Sequence, residues 1–127
     1  MLEKSVKQNG RGIERIFNAA YCSINGFIYT WRNETAFKQE GLLVLMLFPL
    51  SFFVAQDLGT WCAMVLSLGL VVITELINTA IEVVADRITL SYDIQIKNAK
   101  DVASAAVFFS LVLVAIIWTY AVATMLS

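Results

Sequence analysis

Glu75, Asn78, Glu82 and Asp86 stand three, four and four residues apart inside an otherwise apolar stretch, TELINTAIEVVADR. On a helix turning about 100° per residue, the last three fall roughly 60° behind, 20° behind and 20° ahead of Glu75. All four therefore share one face, and they climb about 16 Å along the axis. Three carboxylates and an amide in such a segment are costly, at least about 2.5–3.5 kcal/mol for a charge at mid-span. Carboxylates without nearby cations attract hard divalent ions, and Mg²⁺ binds through one or two carboxylates together with phosphate oxygens. A carboxylate in an apolar layer is also a stronger base than one in water. Glu75 is the deepest of the set and suits a general base. The competing reading, a helix packed through paired or protonated acids, needs basic partners, and residues 41–86 contain no Lys or Arg.

Two further clusters accompany this stripe. In KNAKDVASAA, Lys100 and Ser104 are i, i+4 neighbours and Asp101 and Ser104 are i, i+3 neighbours, so a cation, an anion and a hydroxyl meet at a helix entrance. The same residues would also serve as an ordinary capped, positively flanked helix start. In WRNETAFKQEG, Glu34 and Lys38 are spaced as an exposed helix pair, with Gln39 and Glu40 following. NGRG at residues 9–12 lacks the preceding strand and the following Lys-Ser/Thr of a phosphate loop and reads as a flexible turn.

The elements that position these groups follow from the distribution of charge. The chain has 127 residues, 59% apolar and 15% charged, against about 45–50% and about 25% in soluble proteins. Uncharged runs of 16, 17 and 26 residues cover 41–56, 58–74 and 102–127. A span needs about 20 residues, so the second run must continue through Glu75 and Asn78, which places the acidic stripe at the membrane boundary. Pro49 lies in the first span and removes one helical hydrogen bond. The expected architecture is an all-α membrane protein of one domain, residues 1–127. It comprises an N-terminal amphipathic surface helix over about 12–33 and transmembrane helices over about 34–56, 60–87 and 99–125.

Apolar residues at 13, 16, 17, 20, 24, 27, 28 and 31 form the oily stripe of that surface helix, with Arg15, Asn18, Asn25 and Arg32 off it. The stripe fits either the membrane surface or a packed helix. Lys4, Lys7, Arg11, Arg15, Arg32 and Lys38 precede the first span, and Arg87, Lys97 and Lys100 precede the third. The N-terminus and the 87–101 loop are therefore expected to be cytoplasmic, and the 57–60 turn and the C-terminus to face outward.

Composition removes other classes. Nine Lys+Arg against ten Asp+Glu leave a net charge of −1, without the basic excess that nucleic-acid binding demands. Two cysteines and no histidine exclude a Cys/His zinc cage, a His-based triad and a disulfide framework. The polar opening MLEKSVKQNGRG leads into no apolar signal core, so no cleavable signal peptide is expected.

With WRNETAFKQEG, ELINTAIEVVADR and AKDVASAAV in view, the chain resembles the small prokaryotic integral-membrane diacylglycerol kinases from Arg15 onward. The stretch N-E-x-A-F-[RK]-Q-E and the Asp86-Arg87 pair look more like the diacylglycerol branch than the undecaprenol kinase branch. The resemblance implies a lipid kinase of the bacterial inner membrane, a homotrimer with composite active sites that uses ATP and Mg²⁺ to convert 1,2-diacylglycerol to phosphatidate. It implies Glu75 as the base, Asn78 orienting it, and Glu34 and Glu82 holding the metal. It places Arg15, Cys22, Lys100 and Asp101 at the nucleotide, with Tyr92 and Asp93 near its base and ribose. Trp31, Gln39, Glu40 and Ser104, with Arg15, would line the lipid site, and Asp86 would support the phosphate region. The chain departs from the family at Cys22, where a tyrosine is expected, and at Asn25, where a lysine is expected. In the trimer, Glu34 and Glu75 are expected to reach one site from different subunits. A small cation or proton channel is the rival of another class, since intramembrane acids also mark ion pathways; it leaves Glu34, Lys100 and Asp101 without a role.

Overall fold

The computed structural model describes residues 11–127. Lys4, Lys7, Gly10 and the polar opening used for the orientation and signal-peptide arguments lie outside the described residues. The chain divides into two compact units, Met1–Asn33 and Glu34–Ser127.

In the first unit, α1 (Ile13–Asn33) begins after Gly12, whose φ of 63° is the left-handed conformation that glycine adopts without strain. The NGRG segment thus ends in a turn. Along α1, Ile13, Ile16, Phe17, Ile24, Phe27, Ile28 and Trp31 are all exposed, so the oily stripe is not buried within its own unit.

The second unit is an antiparallel set of three helices, α2 (Thr35–Val54), α3 (Leu58–Ile88) and α4 (Ile94–Leu126). Each is long and apolar enough to cross a membrane. Their core is small: Leu68, Val71 and Val114 are buried, with Val44, Leu47, Leu111 and Trp118 packed on them. Many large apolar side chains, among them Leu45, Met46, Phe53, Leu66, Ile73 and Phe108, point outward. In water that surface would be prohibitive; in hydrocarbon it is the solvated face.

Polar groups inside the bundle mostly satisfy themselves locally. Ser51, fully buried, donates to the Phe48 carbonyl at 2.6 Å and accepts from the Trp61 indole N–H at 3.0 Å. That bond ties α2 to α3 two residues beyond Pro49, through which α2 runs unbroken. Thr74 and Ser110 hydroxyls meet at 3.1 Å between α3 and α4.

Helix starts are set by aspartates. Asp57 caps α3, accepting from the Thr60 backbone N–H at 2.8 Å and the Thr60 hydroxyl at 3.0 Å. Asp93 caps α4, accepting from the Gln95 and Ile96 N–H groups. Helix α4 accordingly begins at Ile94, and α3 runs from Leu58 to Ile88.

The Thr60 bonds hold the Asp57 carboxyl below its ordinary pKa of 3.8. A carboxylate lowered on folding adds stability above its unfolded pKa and loses it as pH falls toward the folded one. Asp57→Asn keeps a capping acceptor but not the charge. The difference in thermal midpoint between wild type and Asp57→Asn is expected to be greatest near neutral pH and to shrink below about pH 4, as a melting series across pH would show. A constant difference would argue against the cap as its source.

Candidate active site

At 1.5 Å per residue, α2 is about 30 Å long, while α3 and α4 reach about 46 and 50 Å. The hydrocarbon layer is about 30 Å thick. The last turns of α3 and the first turns of α4 therefore extend past the span of α2, and the charged residues lie on this shared extension. Exposure grades along the stripe: Glu75 is buried at 4%, Asn78 and Glu82 are half-buried, and Asp86 is exposed.

Within this unit the helices bring further carboxylates to the stripe. Glu40 of α2 lies within hydrogen-bonding reach of Glu75 of α3. Its Oε2 is nonetheless buried with no donor. Two ionised carboxyl groups present only acceptors, so the pair is complemented by a shared proton or by a hydroxyl that donates to it. Asn78 donates from Nδ2 to Glu82 Oε1 at 3.4 Å, and its Oδ1 is buried without a partner.

Glu34 ends the first unit's connection to α2 in extended backbone (φ −114°, ψ 110°) and makes no capping bond with its side chain. Desolvation, then the charges of Glu82, Glu75 and Asp86, push its carboxyl above its ordinary pKa of 4.5. Glu34 thus lies within electrostatic reach of Glu75 and Glu82 of the same chain. The expected Glu34–Lys38 side-chain pair does not form; Glu34 precedes the helix in extended backbone. Only the backbone bond from Lys38 N to Glu34 O is made.

The stripe is not free of cations at its exposed end. Lys100 of α4 donates to Asp86 Oδ1 at 2.6 Å, crossing from helix to helix. Asp101 pairs with Lys97 at 2.6 Å and not with the exposed Ser104. Lys100 thus finds its partner on α3, and Asp101 finds its partner one turn earlier on α4. Beside these pairs, the α3–α4 turn forms a cavity of about 390 Å³ lined among others by Asp86, Tyr92, Asp93, Lys97, Lys100 and Asp101. Four sequence candidates for the nucleotide, Tyr92, Asp93, Lys100 and Asp101, therefore share one cavity. Gln39 is exposed on α2. Arg15, Cys22 and Trp31, with Asn25, belong to α1 in the other unit, where Cys22 is exposed. Thr79 was not among the candidates. Its signal was present in the spacing, four residues after Glu75 and about 40° from it on the same face.

Among the described residues no three His, Cys, Asp or Glu side chains form a metal cage. The donor set fits a divalent ion of another kind. Glu34 and Glu82 repel each other and neither holds an ion pair among the described residues, so an ion held partly by phosphate oxygens would relieve the repulsion with few protein ligands.

A family model described as prokaryotic diacylglycerol kinase matches residues 21–122. The chain belongs to the prokaryotic diacylglycerol kinase family. Similar curated proteins include the diacylglycerol kinase of Pseudomonas aeruginosa, 39% identical over 107 residues, covering 84% of this chain and 87% of that one. The diacylglycerol kinase of Escherichia coli K12 is 39% identical over 110 residues, covering 87% and 90%. That of Helicobacter pylori 26695 is 34% identical over 118 residues, covering 93% and 92%. Within the prokaryotic diacylglycerol kinase family, this chain is an all-α membrane protein, and the matched region contains the stripe from Glu75 to Asp86 together with Glu34, Lys100 and Asp101.

Proposed function

We propose that the chain transfers the γ-phosphoryl group of MgATP to the primary hydroxyl of 1,2-diacylglycerol, yielding phosphatidate and ADP. The observation that carries this reading is the Glu75–Glu40 carboxyl pair, rich in acceptors and poor in donors, with Glu75 and Glu40 Oε2 buried between α3 and the first turns of α2. An alcohol arriving from the bilayer supplies the donor this pair lacks. The names of the relatives add the lipid class.

In this mechanism Glu75 takes the proton of the hydroxyl as its oxygen bonds to the γ-phosphorus, and the bond to the β–γ bridging oxygen breaks. Asn78 and Glu40 orient base and alcohol, with Gln39, Trp31, Arg15 and Ser104 lining the lipid. Glu34 and Glu82 would hold Mg²⁺, which when bound neutralises phosphate charge. Lys100, steadied by Asp86, meets the phosphates, and Asp101, Tyr92, Asp93, Arg15 and Cys22 meet the rest of the nucleotide. Positioning and charge neutralisation are the main demands of phosphoryl transfer, so no soluble kinase domain is required. We further read the protein as a homotrimer of the bacterial inner membrane, with the N-terminus and the α3–α4 turn cytoplasmic and the C-terminus periplasmic.

The test is transfer of label from γ-labelled ATP into solvent-extractable lipid by the purified chain in mixed micelles. Label in phosphatidate when diacylglycerol is supplied is the expected result. Label only with undecaprenol would move the chain to that branch, and proton or cation flux with no labelled lipid would favour a channel.

A further inference from the structure

Among the described residues, buried hydroxyls follow a rule with one exception. Thr30, Ser51, Ser67 and Ser110 each donate to a carbonyl three or four residues back, at 2.6–2.8 Å. Thr79, 3% exposed, does not; its Oγ1 is enclosed and has no partner. The usual acceptor for a helical threonine is the carbonyl four residues earlier, here that of Glu75.

The exception sits in a telling place. Among the described residues, four buried side-chain polar atoms lack a partner, on Glu40, Asn78, Thr79 and Trp118. The first three gather about Glu75: Glu40 faces it from α2, Asn78 follows it by three residues and Thr79 by four. Buried polar groups are nearly always satisfied, and those that are not call for an explanation. A threonine four residues after a glutamate stands beside it on the helix surface. Its hydroxyl is a donor, which is what the Glu75–Glu40 acceptor pair requires.

We propose that Thr79 is a positioning residue. Its hydroxyl, held off its own helix, donates to the Glu75 carboxylate once lipid is seated and fixes the orientation from which Glu75 takes the alcohol's proton. This inference rests on the kinase reading above. It follows that the hydroxyl contributes to turnover and not to the fold, because replacing an unpartnered buried hydroxyl by an apolar isostere is neutral or stabilising.

Thr79→Val and Thr79→Ser separate the possibilities, each assayed as the full chain in mixed micelles with diacylglycerol. Thr79→Val is expected to lower kcat by about ten- to a hundredfold, the worth of a hydrogen bond to a charged group. Its KM for MgATP should stay within about twofold of wild type and its thermal midpoint should be no lower. Thr79→Ser, which keeps the hydroxyl, should recover most of the turnover. Near wild-type turnover in Thr79→Val would overturn the assignment while leaving the kinase reading intact. A lowered midpoint with lost activity in both variants would also overturn it, in favour of a packing role. Failure of the wild-type chain to phosphorylate diacylglycerol would remove the kinase reading and this role with it.

Discussion

Glu75→Gln is expected to lower turnover by about 10²–10⁴-fold, the usual worth of a general base, with MgATP affinity little changed. Glutamine keeps the shape of the side chain and replaces an acceptor with an N–H donor. Since Glu40 Oε2 is buried without a donor beside it, the substitution supplies the hydrogen bond that the carboxyl pair lacks. The variant should therefore be folded, with a thermal midpoint at or above that of wild type, while losing chemistry. Kinetics and melting on the same preparation check both halves. Retention of more than about half of wild-type turnover would show that the proton goes elsewhere.

Glu34→Gln and Glu82→Gln should fail differently. Each removes one charged ligand from a site that has few, so the KM for MgATP should rise by on the order of ten- to a hundredfold and recover in part as Mg²⁺ is raised. The electrostatic link between the two residues gives the pair a second signature. The Glu82 charge is one of the causes that push the Glu34 carboxyl upward, so Glu82→Gln should leave Glu34 easier to ionise. A Mg²⁺ titration in which both variants and Glu75→Gln behave alike would reject separate roles for base and metal ligands.

The stripe could be read from the sequence because a single helix carries it: Glu75, Asn78, Glu82 and Asp86 need only the 3.6-residue repeat to fall on one face. Three spans were equally visible, since a membrane helix announces itself as a gap in charge. What depends on how two helices register was not visible. Nothing local in KQEG shows that Glu40 meets Glu75, and nothing in KNAKD shows that Lys100 turns to Asp86, 14 residues earlier; the Lys97–Asp101 pair, by contrast, is an i, i+4 pair within α4 that helical spacing alone allows. The start of helix α4 depends on a cap. Lys97, Lys100 and Asp101 interrupt the apolar run, yet the helix begins at Ile94 because Asp93 caps it. The orphan hydroxyl of Thr79 is the clearest case: its position is written in the motif, but its burial and lack of a partner come from packing.

The unequal lengths of α2 and α3 make the acidic stripe sensitive to the lipid around it. A 20-residue α2 matches a hydrocarbon layer of about 30 Å, and α3 carries Asn78, Glu82 and Asp86 past that limit. Hydrophobic mismatch then acts on the chemistry as well as on helix tilt. A thicker bilayer draws Asn78 and Glu82 toward hydrocarbon and strips water from the carboxylates assigned to the metal. A thinner one brings Glu75, the proposed base, nearer to water. In this sense the shortest helix serves as the gauge that sets the depth of the reaction.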